Sequence, residues 1–399
     1  MRIQVEANRD STIGYGRMAD EICNAFERKG VEVVDYSDKD MTSHIMFMAP
    51  PQRPTNWYKG QHVSLVTMWE STELAFDHLG TLPLVDTIFV PSQQNLAMFS
   101  RVNSNTHLIT LGCDYDLWKY TPRSKSEPFT IITAGKGARR KGFDTAIKVF
   151  KAFRTRLVAG GFPAPRLVIK SDTTLKNPDP DIIVLNERMS AEEEANFYAK
   201  GHVYLGLSRG EGWGMIPHQT IAQGMPTILT DAHGHKAFSH LGIGIGHGFC
   251  PAENEIVGRS GSWWEPNEGE AFEALLDVFY NYESHLTRAK KNAEEIKLLT
   301  WDVTAEQILS KLPELPDSIS STEKVIAPKA YLSLKVKSPI QCNIGPKDFQ
   351  FIPGREYQVT PDVKRVMYDS GYLDESCLDV YEKATYNKPK VFIDEGLFV

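Results

Sequence analysis

Short apolar runs alternate with segments of helical period through the first three quarters of the chain. IQVEA predicts a buried strand. Behind it, STIGYGRMADEICNAFERKG carries Ala19, Ile22, Cys23 and Phe26 at helical spacing and stops at Gly30, and VEVVDY is the next strand. HVSLV, DTIFV and HLITL repeat the strand signal, with a helix in SQQNLAMF. A second series opens near Ser126 with the strand PFTIITAG and a helix bearing Ala146, Ile147, Phe150 and Phe153 on one face. It continues with strands RLVIK and DIIVL, a helix capped by Ser190, a strand at 203–207 and a helix over about 216–222 closed by Gly224 and Pro226. Helices around 271–280, in HLTRAKKNAEEIKLL and in TWDVTAEQILSKL complete it. This alternation predicts two doubly wound parallel sheets, whose ligands bind beyond the carboxyl ends of the strands.

After the linker KLPELPDSISSTEK the pattern changes. AYLSLKVKS alternates strictly, FQFIPGREYQV reads as a hairpin around Pro353 and Gly354, and TPDVKRVMYDSGY reads as a helix with Thr360 as cap. A small α+β domain is therefore expected over 324–399. A length of 399 residues with 41% hydrophobic residues suits two domains and such an appendage. No run of eighteen apolar residues occurs and the N-terminus enters a strand directly, so neither a membrane span nor a secretory signal is expected. Five scattered cysteines without Cys-x-x-Cys spacing point to a reducing cytoplasm and away from structural zinc. A net charge of −7 disfavours a polyanion as the main partner.

The candidate chemistry centres on SRGEGWGMIPHQTIAQGMPTIL, residues 208–229. A strand end, a turn with glycines at 210, 212 and 214, and a helix N-terminus meet there, with Glu211 at the mouth. Such a turn serves either as a tight connection or as a site for an anion or a hydroxyl-rich ligand. Gly14 and Gly16 form a similar turn, open to a packing or a ligand-facing reading, and Arg17 follows on the first helical turn. Thr67, Trp69 and Glu70 should emerge from the end of their strand on the side facing the second domain, and Asp114 should cap the linker. Residues 136–170 hold ten Lys or Arg against one acid, Asp144, although Lys148, Lys151 and Arg154 fit a solvated helix face. His233, His235, His240 and His247 read as a polar loop lining a cleft in preference to a metal site. GIGIGHG is not a dinucleotide fingerprint, since Phe249-Cys250-Pro251 follows where a helix should open.

Over this region the chain resembles the retaining glycosyltransferases of the GT-B fold in glycosyltransferase family 4. Glu211-Gly212-Trp213-Gly214 is similar to their Glu-Gly-Phe-Gly signature, and Gln219 stands where a second glutamate is expected. The resemblance implies that Glu211 holds a donor-sugar hydroxyl and that Gln219 holds the ribose. Gly212, Trp213, Gly214 and Met215 would complete the donor loop. Lys136 and Lys141 stand where the family neutralises the leaving diphosphate with an Arg and a Lys; Arg139 and Arg140 receive no role. Gly14, Gly16 and Arg17 would approach the donor diphosphate, and Glu70, in the variant Thr-Met-Trp-Glu, is either an acceptor-orienting carboxylate or a helix-start charge. The implied domains are an N-terminal Rossmann-like acceptor domain over 1–125, a donor domain over 126–290, and helices over 291–314 returning to the first. The segment 324–399 lies outside the resemblance and is weakly similar to short bacteriophage modules, which admits a phage-encoded protein in host cytoplasm.

The expected activity is retaining transfer from a nucleotide sugar (UDP-, GDP- or ADP-linked) to a hydroxyl of a glycan, small molecule or protein, with no required cofactor or metal. Two alternatives stand beside it. One is a DNA glycosyltransferase acting on a hydroxymethylated base, hinted at by the basic stretch and the appended domain; the other is a non-catalytic module in which Gln219 marks a decayed donor site.

Overall fold

The computed structural model describes residues 1–321, apart from 11–12, 37–41, 52–55, 75–80, 137–138, 173–174, 176–178 and 255–257, then 323–326 and the backbone of five strands between 332 and 380. Strand after strand in the first domain is buried on both faces, the signature of a parallel sheet covered by helices. β1 (Arg2–Ala7) leads through α1 (Gly14–Arg28) to β2 (Glu32–Asp35). There follow β3 (His44–Met48), a short β4 (Asn56–Tyr58), β5 (His62–Val66), β6 (Thr87–Val90), α2 (Gln93–Phe99) and β7 (Thr106–Leu108). The six-stranded parallel sheet has the order β2-β1-β3-β5-β6-β7.

The second domain repeats the plan with β8 (Thr130–Gly135), α3 (Phe143–Ala159), β9 (Arg166–Ser171), β10 (Ile182–Leu185) and α4 (Ala191–Ala199). β11 (Val203–Gly206), α5 (Met215–Ala222), β12 (Thr227–Thr230) and β13 (Ile243–Ile245) complete the sheet. Its order, β10-β9-β8-β11-β12-β13, reverses direction between β8 and β11. That reversal opens a crevice at the carboxyl ends of the two strands, where ligands bind in doubly wound folds. Ser190 and Glu193 form a capping box on α4, as the sequence led one to expect of Ser190. GIGIGHG runs from strand to strand, with no helix behind it.

Beyond β13 a long antiparallel hairpin, β14 (His247–Asn254) and β15 (Gly258–Pro266), projects from the second domain. It reaches the first domain. The Thr72 N–H donates to the Ser262 carbonyl at 3.0 Å, and the Ser262 N–H donates to Thr72 Oγ1 at 2.8 Å. After α6 (Glu268–Tyr280) and α7 (Tyr282–Glu295), α8 (Trp301–Leu309) returns to pack on α1. α8 buries Trp301, Ala305 and Ile308, and Thr304 Oγ1 donates to the Thr110 carbonyl at 2.7 Å. The exposed pair Arg28–Asp302 adds little to that packing.

Several expectations change. Gly14 and Gly16 are not a turn before the helix but the first residues of α1, capped from Ile13. Trp69 turns into the first-domain core, its indole N–H shared between Ser71 and the Glu73 carbonyl, rather than toward the second domain. β16 (Lys324–Ile326) pairs with β4 of the first domain. Farther on are β17 (Leu332–Val336), β18 (Ile340–Ile344), β19 (Lys347–Phe351), β20 (Glu356–Val359) and β21 (Leu378–Val380). The strands flanking Pro353-Gly354 do not pair with each other: β19 pairs with β18, and β20 pairs with β17. The helix expected after Thr360 lies outside the described residues.

Candidate functional site

Two loops at the switch point build the site. The loop after β8 turns at Gly142, whose φ of +68° and approach to the Leu207 carbonyl leave no room for a Cβ. Its backbone is stitched to the end of β11, the Arg209 N–H donating to the Arg140 carbonyl at 2.7 Å. The loop after β11 ends at Gly214 (φ +105°), which caps α5 and lies against the His235 ring. Arg209, which the sequence did not single out, staples both loops to the hairpin: its buried guanidinium pairs with Asp144 at 2.7 Å and Glu265 at 2.7 Å.

Within this frame the Lys141 ammonium meets the Glu211 carboxylate at 2.5 Å, both side chains mostly buried. Arg140 joins them, 3.4 Å from Glu211 and 3.5 Å from Glu70 of the first domain, and donates to the Gly210 carbonyl at 2.6 Å. Burial alone would raise the Glu211 carboxyl; the Lys141 ammonium and then the Arg140 guanidinium override it and hold Glu211 well below the usual carboxylate range. The site therefore keeps a permanent carboxylate beside two cations, and Glu70 reaches it from across the cleft. Lys136 is not part of this group. Its side chain is 80% exposed and pairs with Asp172 at 3.6 Å.

The first domain contributes α1. Gly16 lies so close to the Asp10 backbone that a Cβ would overlap it, which is the packing role of the two readings. Gly14 has open space at its Cα. Arg17 reaches the second domain and pairs with Glu194 of α4 at 2.9 Å. Arg17, Asp114, Trp118, Met215, His218 and Gln219 line one small cavity between the domains. Gln219 is buried, and its Oε1 has no hydrogen-bond partner among the described residues. Asp114 caps the linker as expected, accepting from the N–H groups of Asp116 and Leu117. Gly212 packs on Met68 of the first domain.

Trp213, expected in the donor loop, turns its indole into the core and donates to His218 Nδ1 at 3.1 Å. That bond places the His218 proton on Nε2, 3.0 Å from the Tyr115 hydroxyl, which in turn donates to the Leu299 carbonyl at 2.8 Å. The glycine loop is thus linked through Tyr115 to the segment after β7 and to the turn that precedes α8. Burial pushes His218 down to about 3, so it is neutral at ordinary pH.

His233 and His235 are buried beside the Glu211 loop, and the Gly234 N–H donates to the Glu211 carbonyl at 2.9 Å. Burial lowers both rings, His235 to about 4. His240 and His247 are exposed elsewhere, so the four histidines do not form one polar loop. Among the described residues no three His, Cys, Asp or Glu side chains are grouped to hold a metal ion.

Two facing doubly wound domains, with a glutamate loop at the switch point of the second and α8 crossing back, define the GT-B fold. Sucrose-phosphate synthase from Thermosynechococcus elongatus superposes with a TM-score of 0.53 at 13% identity, over 77% of this chain and 97% of that one. HepE of Anabaena, solved in complex with UDP and glucose, gives 0.52 at 13% identity over 78% and 99%. These identities carry the fold alone. The chain belongs to the family 4 glycosyltransferases in conflict systems, whose profile matches residues 92–308. A protein of Sulfolobus islandicus filamentous virus, provisionally named glycosyltransferase 41, is 40% identical over 62 residues. That match spans 16% of this chain and 18% of the viral one.

Proposed function

We propose that this glycosyltransferase moves a sugar from a nucleotide-sugar donor to a hydroxyl acceptor with retention of configuration. The observation that carries the reading is the buried Lys141–Glu211 pair at the switch point. Glu211 accepts a hydroxyl of the donor sugar, and Lys141 stabilises the diphosphate as the anomeric C–O bond breaks, the step in which negative charge develops. The acceptor oxygen bonds to the anomeric carbon from the same face. Its proton passes to the departing phosphate oxygen, giving glycoside and nucleoside diphosphate. The unpartnered Gln219 Oε1 supports a ribose hydroxyl as its partner, in the cavity that Arg17 and Met215 share. Glu70 faces this centre from the first domain and is suited to orient the acceptor.

Among the described residues, seven of the ten basic side chains in 136–170 pair with carboxylates, including Arg139 with Glu253, Lys148 with Glu268, Arg154 with Asp179 and Lys170 with Glu194. A stretch neutralised in this way favours a glycan, small-molecule or protein acceptor over DNA. The test is a panel of UDP-, GDP- and ADP-sugars, read by thermal shift and by hydrolysis in EDTA, with the anomer of the product assigned by NMR. Stabilisation and hydrolysis by one nucleotide class without metal is the expected result. No response to any donor would favour the non-catalytic module, strict metal dependence would remove the leaving-group role given to Lys141, and an inverted anomer would overturn retention.

A further inference from the structure

A leaving diphosphate needs more than one positive charge, and the sequence pattern offered Lys136 beside Lys141. The structure separates the two lysines. Lys136 points into solvent with Asp172, where a charge acts through high-dielectric water and contributes little. Arg140 occupies the interior position instead, its side chain 22% exposed, between Glu70 and Glu211. Its carbonyl accepts from the Arg209 N–H and from Ser208 Oγ at 3.2 Å, so the residue is anchored to the end of β11 rather than swinging on a free loop.

The contacts of the guanidinium are uneven. One short hydrogen bond goes to the Gly210 carbonyl, while both carboxylates stand at 3.4–3.5 Å. Arginine has five N–H donors in a planar fork, so donors remain for an entering anion without release of the Gly210 bond. Arg140, Lys141, Glu70 and Glu211 together sum to no net charge. A diphosphate entering beside them competes with carboxylates for the cations, and the sugar hydroxyls give Glu211 a replacement partner.

We propose that Arg140 is the second cation that binds the departing diphosphate, in place of position 136, and that it exchanges Glu70 and Glu211 for phosphate oxygens when the donor enters. The inference rests on the donor reading above. It assigns a catalytic residue to an arginine that the linear motif passes over, and it makes the first-domain Glu70 the resting counter-ion of the leaving-group site.

Isothermal titration of UDP, GDP and ADP, each against its monophosphate, in EDTA tests it with the full-length protein. The wild type is expected to bind one diphosphate more tightly than its monophosphate. Arg140→Ala should cut that difference by about tenfold or more, with Lys141 retaining the remainder, and Arg140→Lys should restore part of it. Lys136→Ala should change it by less than about threefold. Added guanidinium chloride at millimolar concentration should raise donor hydrolysis by Arg140→Ala, a rescue that a purely structural role would not give. An undiminished difference in Arg140→Ala, or its loss in Lys136→Ala, overturns the assignment. Should Arg140→Ala not fold, Arg140→Lys and Arg140→Gln carry the same comparison. If the wild type binds none of the three diphosphates, the donor reading itself falls.

Discussion

Glu211 and Lys141 lie 70 positions apart in the chain, yet their charged atoms meet at 2.5 Å, because the strands that precede them, β11 and β8, are neighbours at the switch point. Each is mostly buried, so each is the other's nearest compensating charge, with Arg140 as a second partner of Glu211.

Replacing Lys141 with Ala should remove a charge that matters most as the glycosidic bond breaks. The expected loss is about 3 kcal/mol of transition-state stabilisation, read as a fall in kcat of roughly two orders of magnitude. Unchanged turnover would take Lys141 out of the mechanism.

Glu211→Gln should abolish transfer without weakening nucleoside diphosphate binding, since on the proposed reading the carboxylate serves the sugar and competes with the diphosphate for Lys141 and Arg140. It also strands the buried Lys141 ammonium, so thermal stability should fall, by about 3 kcal/mol if the lysine stays charged. In the wild type Glu211 is held below its unfolded value near about 4.3. Its contribution is therefore complete above that pH and is lost only as pH falls through the lower folded value. Equal loss of diphosphate binding in the variant would misplace the carboxylate.

Acid should destabilise the fold well before the carboxylates protonate. His218 and His235 are pushed to about 3 and about 4, while an unfolded histidine titrates near about 6.5. Below that pH the unfolded chain takes up protons that the folded chain refuses, so stability declines with falling pH, on the order of 1 kcal/mol per unit per histidine. Denaturant midpoints between pH 7 and pH 5 measure this. A flat profile would mean that these rings accept protons in the folded state.

Deleting the residues after Ile326 should leave donor hydrolysis unchanged while keeping the β16–β4 pair. Duplex DNA should bind neither form with a steep salt dependence, given the neutralised basic stretch. Salt-sensitive DNA binding that disappears on truncation would restore DNA as the acceptor.

The loop over 208–214 was legible as a loop because its conformation is written locally: a buried strand, three spaced glycines and a helix start leave few alternatives. Asp114 and Ser190 were legible for the same reason, since caps act over three residues. Arg140 and Arg209 were not, because nothing in ARRKG or SRGEG says which guanidinium turns inward; that follows from the non-local pairing of β8 with β11. Trp69 and Trp213 were misjudged in the same way, as an indole at a loop edge is stable in a core or in a cleft. The strands around Pro353-Gly354 were visible as strands, but their pairing partners lie farther away in sequence than a turn can specify.

The hairpin that reaches Thr72 bears on how often the cleft opens. Among the described residues the two rims meet through the reciprocal Thr72–Ser262 hydrogen bonds, the ion pairs Glu70–Arg140 and Arg17–Glu194, and close packing of Gly210 and Gly212 on Glu70 and Met68. At about 1 kcal/mol net for each, the polar links supply only about 3–5 kcal/mol of what holds the cleft shut. Opening must also strip packed backbone, so a side chain added at position 210 or 212 would wedge the cleft apart where loss of a single ion pair would not.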